Sequence, residues 1–92
     1  MNGNFKVINK VEIFPQKGGW HFIRVPNIIT EKLAHKADRG VISINATIGK
    51  TSWETSLLPM GDGTHFIALN AKVRKSENLE LGSKIEIHFC QR

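Results

Sequence analysis

The sequence predicts a mainly β domain: a small closed or split barrel of six strands with two short peripheral helices, built from two ββαβ units. Three observations carry this reading. Apolar residues alternate with a two-residue period along several stretches. Short segments with four-residue apolar spacing interrupt them. The chain also resembles itself when shifted by 44 positions. That shift lays Pro15-Gln16-Lys17-Gly18-Gly19-Trp20-His21-Phe22-Ile23 on Pro59-Met60-Gly61-Asp62-Gly63-Thr64-His65-Phe66-Ile67, with five of nine positions identical. After a one-residue slip the match resumes, Val41-Ile42-Ser43-Ile44 falling on Lys84-Ile85-Glu86-Ile87. The pseudo-repeats cover residues 5–48 and 49–92.

The first strand is expected from Phe5 to Phe14, with apolar residues at 5, 7, 11 and 13 on one buried face and Asn9 breaking the pattern midway. Pro15 to Gly19 reads as a turn, and Trp20 to Val25 returns as the second strand of a hairpin. Pro26 and Asn27 open a helix whose Ile29, Leu33 and Ala37 share one face, and Gly40 ends it. The third strand runs from about Val41 to Ile48, with Ile42, Ile44, Ala46 and Ile48 facing in. Gly49-Lys50 turns it into a fourth, Ser52 to Leu58, where Trp53, Thr55 and Leu57 share a face. After the turn at Pro59 to Gly63 come a fifth strand, Thr64 to Leu69, a short helix near Ala71 to Glu77, and a sixth strand, Lys84 to Cys90. Ile85, Ile87 and Phe89 of that last strand face in. A unit this small cannot bury its own apolar face, so the two copies are expected to pack about a pseudo-two-fold axis and to close the sheet against exposed edges.

Ninety-two residues suit one domain, with 40% hydrophobic and 23% charged residues to form a core and a solvated surface. A net charge of +5 permits contact with phosphates or acidic partners without demanding it. The single cysteine, Cys90, cannot form an internal disulfide, and no apolar run precedes the first charged residues, so a reducing, cytoplasmic setting is expected. No apolar stretch approaches the roughly 20 residues that span a bilayer, and no membrane association is expected.

Three segments resemble a known family: Gly19-Trp20-His21-Phe22-Ile23-Arg24-Val25-Pro26, then Thr47-Ile48-Gly49 followed by Trp53-Glu54-Thr55-Ser56-Leu57-Leu58-Pro59, then Lys72-Val73-Arg74-Lys75. With Leu81-Gly82 before the last strand, they are similar to the prokaryotic domain-of-unknown-function family 1905. The resemblance implies a double-split β-barrel, a class shared with AbrB-like regulators and MazE-like antitoxins, and brings no established reaction. Members often carry a basic, glycine-containing stretch between the first helix and the third strand, here the short Lys36 to Gly40.

Chemistry-bearing patterns are sparse. The four histidines and Cys90 lack the spacing of a zinc site. His21 and His65 are equated by the repeat, and each reads as an outward-facing strand residue beside an inward Phe, although a pseudo-dyad could bring the two together. Ser56 has no nucleophile elbow around it, and Gly61-Asp62-Gly63 lacks the Lys and hydroxyl of a phosphate loop. Neither catalysis nor a cofactor is expected. The constellation that combines aromatic and cationic character is Trp20, Arg24, Trp53, Lys72, Arg74 and Lys75. Trp20, Phe22 and Arg24 alternate onto one face, an arrangement suited to stacking or to an anion. Trp53, with Thr55 and Leu57, also reads as core, and Lys72, Arg74 and Lys75 cannot all share one helical face. Trp20 is matched in the repeat by Thr64 and Arg24 by Ala68, so the asymmetry points to the first copy. The expected function is a non-enzymatic binding module for a small anionic ligand or a protein partner, working as a monomer or small homo-oligomer. A DNA-binding, regulator-like barrel is the alternative.

Overall fold

The structure is a computed structural model that describes residues 4–15, 19–33 and 40–92. In chain order it contains β1 (Asn4–Lys10), β2 (Glu12–Ile13), β3 (His21–Val25), α1 (Asn27–Leu33), β4 (Ile42–Ile48), β5 (Thr51–Pro59), β6 (His65–Ala68), α2 (Ala71–Glu77) and β7 (Lys84–Gln91). The fold is mainly β, a seven-stranded sheet in the order β1-β7-β4-β5-β6-β3-β2 that nearly closes into a barrel. Every described pairing is antiparallel. Near-closure follows because the two edge strands, β1 and β2, are consecutive in the chain and separated only by Val11. No described helix is long and apolar enough to cross a membrane.

The expected alternation holds best on β4 and β7. Ile42, Ile44, Ala46 and Ile48 are buried on one, and Ile85, Ile87 and Phe89 on the other, with exposed or half-buried residues between them. On β5, Leu57 is buried, and half-buried Trp53 packs against the core. The first strand differs from expectation. Val11 donates its N–H to the Ser83 carbonyl at 2.8 Å and accepts from the Gly82 N–H at 2.9 Å. The loop before β7 therefore captures the backbone at Val11 and splits the strand into β1 and β2. The phase shifts at that point, leaving Ile13 41% exposed rather than facing in. Six expected strands thereby become seven.

β3 and β6 each bury adjacent residues on opposite faces, Phe22 and Ile23 in β3 and Phe66 and Ile67 in β6. Ile23, Val25, Ile67 and Leu69 belong to the main core, whereas Phe22 and Phe66 are equally inaccessible outside it. The two phenylalanines form a separate aromatic cluster. Phe14 stacks on Phe22 with ring centroids 4.0 Å apart, and Phe66 meets both rings edge-on. Edge-to-face and offset-stacked geometry suits the ring quadrupole. Strand alternation then sets His21 and His65 in phase with the core-facing isoleucines. The expected outward histidine beside an inward phenylalanine is thus reversed, because Phe14 gives the outer face an apolar cover of its own.

The β3–β6 and β4–β7 registers are mirrored. Ile23 pairs with Ile67, Phe22 with Ala68 and Arg24 with Phe66. Ala46 pairs with Phe89, Ile44 with Gln91 and Asn45 with Cys90. α1 buries Thr30 and Leu33 and half-buries Ile29, as its spacing predicts. Ala37 and the Lys36–Arg39 part of the basic stretch lie outside the described residues.

Candidate functional site

The six candidate residues do not converge. Trp20 and Arg74 line one groove, of about 260 Å³, together with His21, Ala68, Leu69 and Asn70. Arg24 lines another, of about 300 Å³, with Asn9, Val25, Pro26, Asn27 and Thr64. Trp53 packs against the core and lines neither. Lys72 and Lys75 are solvent-exposed on α2, while Arg74 is half-buried. The separation of Arg74 from the two lysines agrees with the helical spacing.

Pairing geometry explains why Trp20 and Arg24 part company. β3 and β6 run antiparallel through the Ile23–Ile67 pair, so the start of β3 lies beside the end of β6 and the reverse. The His21 backbone carbonyl accordingly accepts a hydrogen bond from the Leu69 N–H at 2.9 Å. Arg24, at the far end of β3, faces Phe66 instead. Trp20 and Thr64 are matched by the 44-residue shift, as are Ala68 and Arg24, and Leu69 and Val25. The two grooves are therefore counterparts, each built from the start of one strand and the end of the other. Trp20 and Arg24, expected on one surface, line different grooves.

Local structure holds the Trp20 groove open. Gly19 has φ of +51°, a left-handed conformation that disfavours side chains, and a Cβ there would lie 3.4 Å from Ile13 Cδ1. The Trp20 carbonyl accepts from the Phe14 N–H at 3.0 Å, tying the residue to the chain beyond β2. Its side chain nevertheless remains 57% exposed. Asn70 caps α2, its Oδ1 accepting from the Val73 N–H at 2.9 Å. Buried Val73 fixes the helix against the barrel, which carries Arg74 to the groove. Arg74 Nε donates to the Leu69 carbonyl at 3.0 Å.

The two grooves differ in electrostatics. Arg24 Nε donates to Glu12 Oε2 at 2.8 Å, and its guanidinium lies 5.7 Å from the Phe22 ring centroid. Its charge is matched by a carboxylate of its own. Arg74 forms no salt bridge among the described residues. The Trp20 groove thus has a cation with no carboxylate partner among the described residues, an exposed indole, and Ala68 and Leu69 in its lining.

The histidines differ in the same sense. The Nδ1 atoms of His21 and His65 are both buried without a hydrogen-bond partner among the described residues. His65 Nε2 lies 2.8 Å from the Gly40 carbonyl, to which it donates, since a carbonyl only accepts. His21 Nε2 makes no hydrogen bond among the described residues, and His21 lines the groove. The rings do not form a pair. They flank the central isoleucine pair on opposite sides, four residue steps or roughly 13 Å apart along the strands. Sequence reasoning noted the two histidines but not that one of them shares a groove with Arg74.

Ser56 is half-buried in mid-strand opposite Ser43, with no base or carboxylate bonded to it among the described residues. Among the described residues no group of three or more His, Cys, Asp or Glu side chains gathers to hold a metal ion. No curated protein matches the chain. Residues 9–89 match the family model described as "Domain of unknown function (DUF1905)", and the chain belongs to that family.

Proposed function

We propose that the protein is a non-enzymatic binding module whose groove between Trp20 and Arg74 takes a small anionic ligand with a flat apolar body. The observation that carries this reading is the Arg74 guanidinium, without a salt bridge among the described residues, beside an exposed indole in a groove lined by Ala68 and Leu69. Ligand sites are typically apolar concavities in which a few polar groups set orientation. An indole face offers stacking, and a guanidinium offers a planar fork for a carboxylate. The volume of about 260 Å³ falls below the range of drug-sized sites and suits one ring with an acid group.

Fluorescence titration in a W53F background, where Trp20 is the sole indole, tests the reading. Phenylacetate is expected to quench the signal saturably, while acetate, lacking the ring, and phenylacetamide, lacking the charge, bind far more weakly. Equal binding of all three, or of none, contradicts it.

A nucleic-acid role is the weaker reading. The outer face of β1 and β7 mixes Lys6, Lys10 and Lys84 with Glu86, so no unbroken basic stripe runs along it. The mirrored registers also support reading the chain as one domain of two related ββαβ units, residues 5–48 and 49–92. In that reading the first copy contributes Trp20 and His21 to the groove, and the second contributes Arg74.

A further inference from the structure

We infer that His21 is a ligand-binding residue of the Trp20–Arg74 groove, its Nε2–H acting with the Arg74 guanidinium to hold a carboxylate, so that the ligand class is a monocyclic aromatic carboxylate. This rests on the groove reading above and adds to it a second donor and a preference among anions.

His21 and His65 occupy positions matched by the 44-residue shift. Both rings have a buried Nδ1 with no partner among the described residues. In His65 the geometry assigns the proton. Nε2 donates to the Gly40 carbonyl at 2.8 Å, which leaves Nδ1 as the bare acceptor of the neutral ring. A buried polar atom without a partner carries its desolvation cost, and leaving the buried Nδ1 bare puts the N–H donor on Nε2, where solvent or a ligand can take it up. The same burial at His21 Nδ1 favours the same tautomer, with the proton on Nε2. Nothing among the described residues takes up that proton, and the ring lines the groove that also holds Arg74. Arg74 has spent its Nε on the Leu69 carbonyl, so its terminal nitrogens are the donors left for a ligand.

A guanidinium and an imidazole N–H on the lining of one small groove then present few donors. A planar carboxylate with two oxygens matches that number better than a phosphate with three. Trp20, Ala68 and Leu69 leave room for one ring behind the acid group.

The test is a set of ¹H–¹⁵N titrations of the full chain with phenylacetate and with phenyl phosphate. The H21F variant keeps the ring volume and removes the donor; its spectrum reports whether the fold is retained. H21Q restores an N–H donor. H65F breaks the bond to the Gly40 carbonyl but leaves the groove intact. H21F is expected to weaken phenylacetate about tenfold or more, the usual effect of removing a hydrogen bond to a charged group. H21Q is expected to recover most of that loss, and H65F to bind as the parent does. Phenylacetate is expected to bind more tightly than phenyl phosphate. Unchanged phenylacetate affinity in folded H21F, or a phosphate preference, overturns the role of His21 while leaving the groove reading standing. No perturbation of Trp20, Ala68 or Leu69 in the parent protein overturns both.

Discussion

Ile23 of β3 lies directly opposite Ile67 of β6, the residue that the sequence's own 44-position shift lays upon it. Both side chains are fully buried. This pairing fixes where every other residue of the two strands must go. It brings His21, next to Trp20, to Leu69 and sends Arg24 to Phe66, so Trp20 and Arg24 end up in different grooves.

Since each isoleucine fills an equivalent place in the same core, truncating either should cost similar amounts. I23A and I67A are each expected to lose about 3 kcal/mol of unfolding free energy, the middle of the range for a buried aliphatic truncated to Ala. Urea denaturation followed by far-UV circular dichroism measures both. A loss below about 1 kcal/mol at either site would show that the pair is not central to the core.

Gly49, in the β4–β5 turn, has φ of +57°, and a Cβ there would overlap the Glu77 carboxylate. That carboxylate accepts a hydrogen bond from Thr51 Oγ1 at 2.6 Å, so Glu77 cannot move without giving up a partner. G49A is expected to destabilise by about 2 kcal/mol, combining left-handed strain with displacement of Glu77. In the E77A background the penalty should shrink to the backbone part alone. A double-mutant cycle with no coupling would contradict this account.

The hydrogen bond from the Thr64 hydroxyl, followed by that from the Thr64 N–H, holds the Asp62 carboxyl below its ordinary pKa. A carboxyl whose pKa is lower in the folded than in the unfolded state stabilises the fold above the unfolded value. That contribution is lost as pH falls through the folded value. T64V removes the larger cause and keeps the backbone donor, so Asp62 should titrate closer to the ordinary carboxylate range. A ¹³C titration of the Asp62 carboxyl follows this directly, and an unmoved midpoint in T64V would refute the assignment.

Much of the fold was legible because alternation is a local signal. Ile42, Ile44, Ala46 and Ile48 declare their buried face without reference to any other strand, as do Ile85, Ile87 and Phe89. The break at Val11 was not legible, since it is made by backbone hydrogen bonds to Gly82 and Ser83, far away in sequence. The phase of β3 was misread because Phe22 and Ile23 are both buried, and only the stacking of Phe14 reveals that the phenylalanine lies outside the barrel. The site was half legible. Trp20 and Arg74 were both among the candidates, but so were Arg24, which Glu12 neutralises, and Trp53, which belongs to the core. The 44-position self-match did hold the missing signal, for matched strands paired antiparallel must place the start of one beside the end of the other.

Of the two grooves, the one whose arginine has no salt bridge among the described residues is proposed to bind the ligand. A ¹H–¹⁵N shift map of the parent protein with saturating phenylacetate tests it most directly. The account predicts perturbations confined to Gly19, Trp20, His21, Ala68, Leu69, Asn70 and the Arg74 side chain. Perturbations centred on Asn9, Arg24, Asn27 and Thr64, or spread over the exposed Lys72 and Lys75, would contradict it.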